Sequence, residues 1–363
     1  MEIKELSIQE KIGQMIIIGM DTNYITDRIK IMITKYKIGG IILYRKNFHT
    51  YQEMLDLIRQ LKELNKENKI PLWIAIDQEG GRVNRMPKEI LNLPSANLIA
   101  TKCGMEEVEK SAEIIGKILK KSGYNLNFAP VLDIKRFENN HAIGDRCYGE
   151  NKENVAKYGM AFMKRLQEQG IVSVIKHFPG HGATKRDSHY FLPIIKKKME
   201  YLEKEDMYPF EQAIKNGADA ILVGHLFIKN VTGIYPASLS RKFIVKYLRK
   251  KYRYHGLIIT DDLKMKAIKF VYGSSIAVEK AFEAGNDVIV FRFNKEEEKQ
   301  VIEKIVRLAQ EGKIKESRIN RSVSRIIKMK QKYEISDEEE IKGINIDEIN
   351  QKIREIREKC GIE

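Results

Sequence analysis

The chain has 363 residues, 43% hydrophobic and 32% charged, with 65 Lys and Arg against 50 Asp and Glu for a formal net charge of +15. That length suits one barrel-type domain with extensions and buries a large core without covalent staples. The composition excludes collagenous and low-complexity chains, and no apolar stretch approaches the ~18 residues of a membrane span.

The N-terminal MEIKELSIQEKIGQM has no apolar core and no small-residue cleavage site. A cytoplasmic chain without a secretory leader is expected. The three cysteines, Cys103, Cys147 and Cys360, are odd in number and far apart in sequence. They are expected to be free thiols in a reducing compartment. The lysines are dispersed, and no basic run is interleaved with aromatics, so neither a nucleic-acid nor a membrane partner is expected.

In chain order, eight short apolar runs read as strands: residues 14–19 (QMIIIG), 40–44 (GIILY), 72–77 (LWIAID), 126–132 (LNFAPVL), 173–177 (SVIKH), 220–225 (AILVGH), 257–261 (LIITD) and 287–293 (DVIVFRF). Helical periodicity fills the gaps. Tyr51, Met54, Leu55, Ile58, Leu61 and Leu64 share one face, as do Val155, Tyr158, Phe162, Met163 and Leu166. Gly285 is placed to cap a helix before the eighth strand. Beyond residue 294, helical segments cover 301–310, 318–332 and 346–359, the last amphipathic through Ile349, Ile353 and Ile356.

Alternating strands and helices predict an α/β fold, a (β/α)₈ TIM-type barrel with extra C-terminal helices. No G-x-G-x-x-G follows the first strand, which argues against a dinucleotide fold. One catalytic barrel is expected over residues 1–333. An acidic helical extension over 334–363 is expected to pack on it or trail from it.

Polar clusters collect where strands end, the face on which barrel enzymes hold their chemistry. The third strand runs into DQEGGRVNR (77–85), the fourth into Asp133 and then IGDR (143–146), and the fifth into KHFPGHG (176–182). The sixth ends at His225 and the seventh at Asp261 and Asp262. A single Asp after a strand is commonly a helix cap; five clusters on one end are not explained that way. In residues 176–189, glycines and a proline shape a loop ending in Asp187-Ser188-His189. Residues two apart in extended chain face the same way, so Asp187 is placed to hold the His189 imidazole and raise its pKa.

These segments, with PASLS (236–240) and ITDDLKM (259–265), resemble glycoside hydrolase family 3, in its β-N-acetylglucosaminidase branch of peptidoglycan recycling. The resemblance spans roughly residues 10 to 330, and the loop ending in Asp-Ser-His is its most specific part. It implies Asp261 as nucleophile, His189 as general acid/base and Asp187 as the partner of His189. It also implies Asp77, Arg85, Arg146, Lys176 and His177 as sugar-binding groups. Two departures stand out: Lys185-Arg186 directly precedes Asp187, and residues 135–141 (KRFENNH) lack the expected proline-containing pattern.

Either Asp261 or Asp262 would serve as nucleophile on chemistry alone. Adjacent strand residues point to opposite sides, the resemblance selects Asp261, and Asp262 is expected to cap the next helix. The implied activity is a retaining β-N-acetylhexosaminidase acting on GlcNAc-containing glycans or muropeptides, through a covalent glycosyl-Asp intermediate. A phosphorylase using the same residues and a non-catalytic sugar-binding barrel are the alternatives. His177, His181 and His189 offer a rival zinc reading, but no helical H-E-x-x-H is present. No phosphate loop or flavin or nicotinamide fingerprint appears, so no cofactor and no metal is expected.

Overall fold

A computed structural model describes residues 3–137, 140, 142–184 and 193–362. Each of the eight apolar runs coincides with a strand: β1 (Ile16–Gly19), β2 (Gly40–Leu43), β3 (Trp73–Ile76), β4 (Leu126–Asn127), β5 (Val172–Phe178), β6 (Ala220–Val223), β7 (Leu257–Thr260) and β8 (Ile289–Phe291). All neighbours pair in parallel, in the order β8-β1-β2-β3-β4-β5-β6-β7. A parallel bridge between Ile259 and Val288 joins the two ends, and the Thr260 N–H donates to the Val288 carbonyl at 3.1 Å. The sheet therefore closes on itself as a barrel ringed by helices. Such strands are covered on both faces, which explains runs such as IIIG and AILV without polar alternation.

β5 outruns its expected stretch by one residue at each end, and the other strands stop short of their apolar runs where the backbone changes role. Residues 14 and 15 end the helix Ile8–Gln14, whose start is a capping box between Ser7 and Glu10. β4 pairs over two residues only, and contact with β5 resumes at a parallel bridge between Val131 and Lys176. The helices begin on side-chain caps: Thr50 for Tyr51–Asn65, Asn151 for Lys152–Glu168 and Asn345 for Ile346–Lys359. Gly285 adopts the left-handed C-cap conformation, with φ 102°.

At the amino-terminal end of the barrel, Lys330 is buried and donates to Gln14 Oε1 (3.0 Å), Gly39 O (3.1 Å) and Pro71 O (2.6 Å). Three acceptors match its three donors, and together they tie down the approaches to β1, β2 and β3.

The segment after Glu334 packs on the barrel. Asp337 accepts the Leu72 N–H at 3.2 Å and an Asn65 amide hydrogen at 2.6 Å. Ile349, Ile353 and Ile356 are buried, and Asn350 accepts from Leu91 N–H and donates to Glu89 O, both at 2.8 Å. This helix carries Cys360 to Cys103, and the two form a disulfide with Cα atoms 5.3 Å apart. The expectation of three free thiols is thus corrected: Cys147 alone is free, and it is buried. A separation of 257 residues hides this pairing from any reading of spacing.

Candidate active site

The carboxyl ends of the strands surround a cleft of about 600 Å³. Its lining includes Asp77, Arg85, Arg146, Lys176, His177 and Asp261. Asp77 follows β3, Lys176 and His177 lie in β5, and Asp261 follows β7. His189 and Asp187 lie outside the described residues.

The loop after β3 turns sharply at Gly80 and Gly81, with φ of 91° and 53°. A Cβ on Gly81 would sit 2.8 Å from the Ser95 Cβ. Glycine here allows residues 77–85 to fold back over the mouth. The Gln78 side chain fastens that turn, donating to Asn84 Oδ1 at 3.0 Å and accepting the Arg85 N–H at 2.7 Å.

Glu79 organises the cationic side of the cleft. Its carboxylate accepts two hydrogen bonds from Arg146, at 2.9 and 2.8 Å, and pairs with Lys176 Nζ at 2.5 Å. Lys176 Nζ also reaches Asp77 Oδ1 at 2.7 Å. Burial pushes the Glu79 carboxyl up, but Arg146 and Lys176 outweigh it and hold the group well below the usual carboxylate range. The result is two cations and two carboxylates joined in one network of contacts, with its donors and acceptors held in fixed positions beside the cleft.

Asp133 organises the histidines. It is fully buried; Oδ2 meets His177 Nδ1 at 2.6 Å and the His177 N–H at 3.2 Å, while Oδ1 accepts the His181 N–H at 2.6 Å. Burial opposes its ionisation, yet the neighbouring His177 keeps its carboxyl below the ordinary value. Burial, with His177 beside it, pushes the His181 imidazole down to about 4. Gly182 lets this loop press against the Ile134 carbonyl, where a Cβ would collide.

The paired aspartates after β7 differ from expectation. The Asp261 N–H donates to Val223 O of β6 at 3.1 Å, and its Oδ1 accepts the Asp262 N–H at 2.9 Å. Both residues line the cleft, and the strand ends at Thr260, before either of them. Asp262 is also not the cap of the next helix. Its Oδ1 accepts the Lys264 N–H at 2.8 Å, closing a turn, and Met265 precedes the helix Lys266–Ala284 with no side-chain cap. Burial pushes the Asp262 carboxyl up to about 6.

His225 is a strut. Fully buried, its Nδ1 lies 2.7 Å from Ser238 Oγ and its Nε2 3.1 Å from Asp262 O. It thereby connects the PASLS segment to the backbone of the aspartate pair. Tyr44 and Arg292 also line the cleft, and Glu79 holds Arg146 and Lys176 beside it, although none of the three is on the expected list. Arg292 lines the cleft and sits over the Tyr44 ring at 4.9 Å. Its signal was available, as a lone cation interrupting the apolar run 287–293. Of the three histidines behind the zinc reading, His177 is committed to Asp133, and among the described residues no three potential ligands converge on a metal position.

Residues 7–329 match the glycosyl hydrolase family 3 N terminal domain, and the chain belongs to that family. It is 33% identical over 325 residues to the beta-hexosaminidase A of Pseudoalteromonas piscicida, covering 83% of this chain and 54% of that protein. The chain thus spans about half the length of that curated relative. It is also 33% identical over 259 residues to a beta-hexosaminidase of Xylella fastidiosa (strain M23), covering 70% of this chain and 76% of the other. The solved family 3 beta-N-acetylglucosaminidase of Paenibacillus sp. str. FPU-7 superposes with a TM-score of 0.92 at 33% identity, over 98% of this chain and 69% of that one. The beta-N-acetylglucosaminidase of Thermotoga maritima superposes at 0.78 with 26% identity, over 94% and 69% of the two chains.

Proposed function

We propose that this protein is a retaining exo-β-N-acetylglucosaminidase. The observation that carries the reading is the placement of Asp261. It stands at the end of β7 and lines the same cleft as Asp77, Lys176 and Arg146, groups suited to grip a sugar ring that Glu79 ties together. On this reading Asp77, Arg85, Arg146, Lys176 and His177 hold the terminal sugar. The Asp261 carboxylate attacks the anomeric carbon and becomes an ester as the glycosidic C–O bond breaks. His189, charged and oriented by Asp187, gives its proton to the departing oxygen. It then takes a proton from water, which cleaves the ester and frees Asp261. The substrates are terminal β-linked N-acetylglucosamine residues of muropeptides or small glycosides. Location in the cytoplasm is part of this reading, although the Cys103–Cys360 bridge removes the free-thiol argument for it.

Turnover of a chromogenic β-N-acetylglucosaminide, with and without phosphate, tests the assignment. Hydrolysis independent of phosphate is expected, and Asp261→Asn should abolish it. Dependence on phosphate would make the enzyme a phosphorylase, and no turnover at all would leave a sugar-binding barrel. His189→Ala should lose roughly 10²–10⁴-fold on substrates with poor leaving groups and little in glycosylation by activated ones. Azide, which needs no base, should restore its turnover.

A further inference from the structure

The end of β6 holds the end of β7 at two successive residues. The Val223 carbonyl accepts the Asp261 N–H at 3.1 Å, and the His225 Nε2 reaches the Asp262 carbonyl at 3.1 Å. A carbonyl only accepts, so Nε2 carries the hydrogen of that bond. Nδ1 lies 2.7 Å from Ser238 Oγ, and in a neutral ring it is then the acceptor of the Ser238 hydroxyl. Ser238 is itself pinned. Asn286, ahead of β8, donates to Ser238 O at 2.8 Å, and the neighbouring Ala237 N–H donates to Leu226 O at 2.7 Å. His225, Ser238 and Asn286 are all fully buried, and none of the three is among the described residues that line the cleft.

The peptide between Asp261 and Asp262 lies between those two anchors. Its N–H donates to Asp261 Oδ1 at 2.9 Å. We infer that Ser238 and His225 are positioning residues for the nucleophile: they hold the Asp262 backbone so that its N–H stays on Asp261 Oδ1 and fixes how the carboxylate faces the cleft. This rests on the reading of Asp261 as nucleophile and extends it to two residues set behind the cleft wall. The N–H has a use in each half of the reaction. During attack it fixes the rotation of the carboxylate. When water cleaves the glycosyl ester, negative charge returns to the departing carboxylate, and a donor is already at Oδ1 to receive it. Both halves thus depend on one placed donor. Proton transfer differs, because an activated leaving group or azide bypasses it.

The test measures turnover of an activated aryl β-N-acetylglucosaminide and of N,N′-diacetylchitobiose by Ser238→Ala, His225→Gln and His225→Ala, with urea unfolding of each. Ser238→Ala should lower kcat roughly threefold to tenfold, the span of one buried hydrogen bond. His225→Ala should lower it roughly 10²-fold. His225→Gln returns an amide N–H near the place of Nε2, so its kcat should stand between those of wild type and His225→Ala. The loss should be the same on both substrates and unrelieved by azide, and competitive inhibition by free N-acetylglucosamine should stay unchanged. A loss confined to the disaccharide overturns the inference, as does a matching rise in the inhibition constant. A lower urea midpoint with kcat unmoved also overturns it, leaving the pair a structural brace. If His225→Ala does not fold, Ser238→Ala and His225→Gln decide by the same outcomes. Failure of the wild type to turn over either substrate overturns the hexosaminidase reading and this inference with it. Turnover of both, with kcat unmoved in the variants, overturns this inference alone.

Discussion

The Arg146 guanidinium meets the Glu79 carboxylate edge to edge, with N···O distances of 2.9 and 2.8 Å and both side chains largely buried, 12% and 6% exposed. A pair so placed is costly to break from one side, since the remaining charge stays buried.

Glu79→Gln is therefore expected to destabilise the fold by about 3–5 kcal/mol at pH 7. Arg146 and Lys176 hold the Glu79 carboxyl below its ordinary value against the pull of burial. Its contribution is present above the unfolded carboxyl pKa of about 4.3 and is lost as pH falls toward the lower folded value. Urea unfolding at pH 7 and pH 3 should show the gap between wild type and variant narrowing in acid. A gap independent of pH would show that the two cations do not set the ionisation of Glu79.

Asp133 and His177 should behave as one unit. Asp133→Asn puts an amide where His177 Nδ1 and two backbone N–H groups converge. Catalytic efficiency on a chromogenic glycoside is expected to fall at least about tenfold, or 1.4 kcal/mol. The Asp133→Asn/His177→Ala double variant should lose little more than His177→Ala alone. Additive losses would mean that Asp133 acts independently of the imidazole.

The Asp262 carboxyl, pushed up to about 6 by burial, predicts a stability slope of opposite sign to that of Glu79. A folded pKa above the unfolded value of about 3.9 means that the folded state holds the proton more firmly. Stability is lost as pH rises from about 4 through 6. Asp262→Asn keeps an oxygen to accept the Lys264 N–H but cannot ionise. The variant should gain stability relative to wild type between pH 4 and pH 7 in denaturant titrations. A constant difference across that range would rule out a raised pKa.

The Cys103–Cys360 bridge closes a loop of 257 residues. Cys360→Ser, or reduction of the wild type, should lower stability by about 2–4 kcal/mol, seen as a lower urea midpoint. Thiol titration of the denatured, unreduced protein should find one reactive group, Cys147. Three reactive thiols would mean that the bridge does not form.

What the sequence made visible were features carried by a single stretch of chain. The eight strands stand out because a parallel strand buried on both faces is an unbroken apolar run. The residues facing the cleft stand out because polar groups follow those runs directly. Relationships between distant stretches were not legible. Glu79 was in plain view beside Asp77, but its partners Arg146 and Lys176 come from other strand ends, so nothing near it showed that it is an anchor for cations. The two faces of an extended strand suggested that Asp261 and Asp262 diverge. The chain leaves strand geometry at Thr260, so the rule fails at the one place where it was needed. Cys360 reaches Cys103 only because the helix Ile346–Lys359 lies across the barrel.

That last helix has a consequence for the order in which the molecule takes shape during synthesis. Asn350 grips the backbone at Glu89 and Leu91, and the same stretch supports the turn over the cleft, since Asn92 donates to Gly81 O and Leu93 O accepts the Gly81 N–H. The clamp on the early half of the mouth is thus made some 259 residues after the loop it secures. A ribosome-bound chain can lay down β1 to β3 and wait, but the loop that follows β3 lacks this outer brace until residue 350 has emerged. Maturation of this mouth is tied to late translation, and a nascent chain stalled after β8 would hold all the cleft residues named here without that brace.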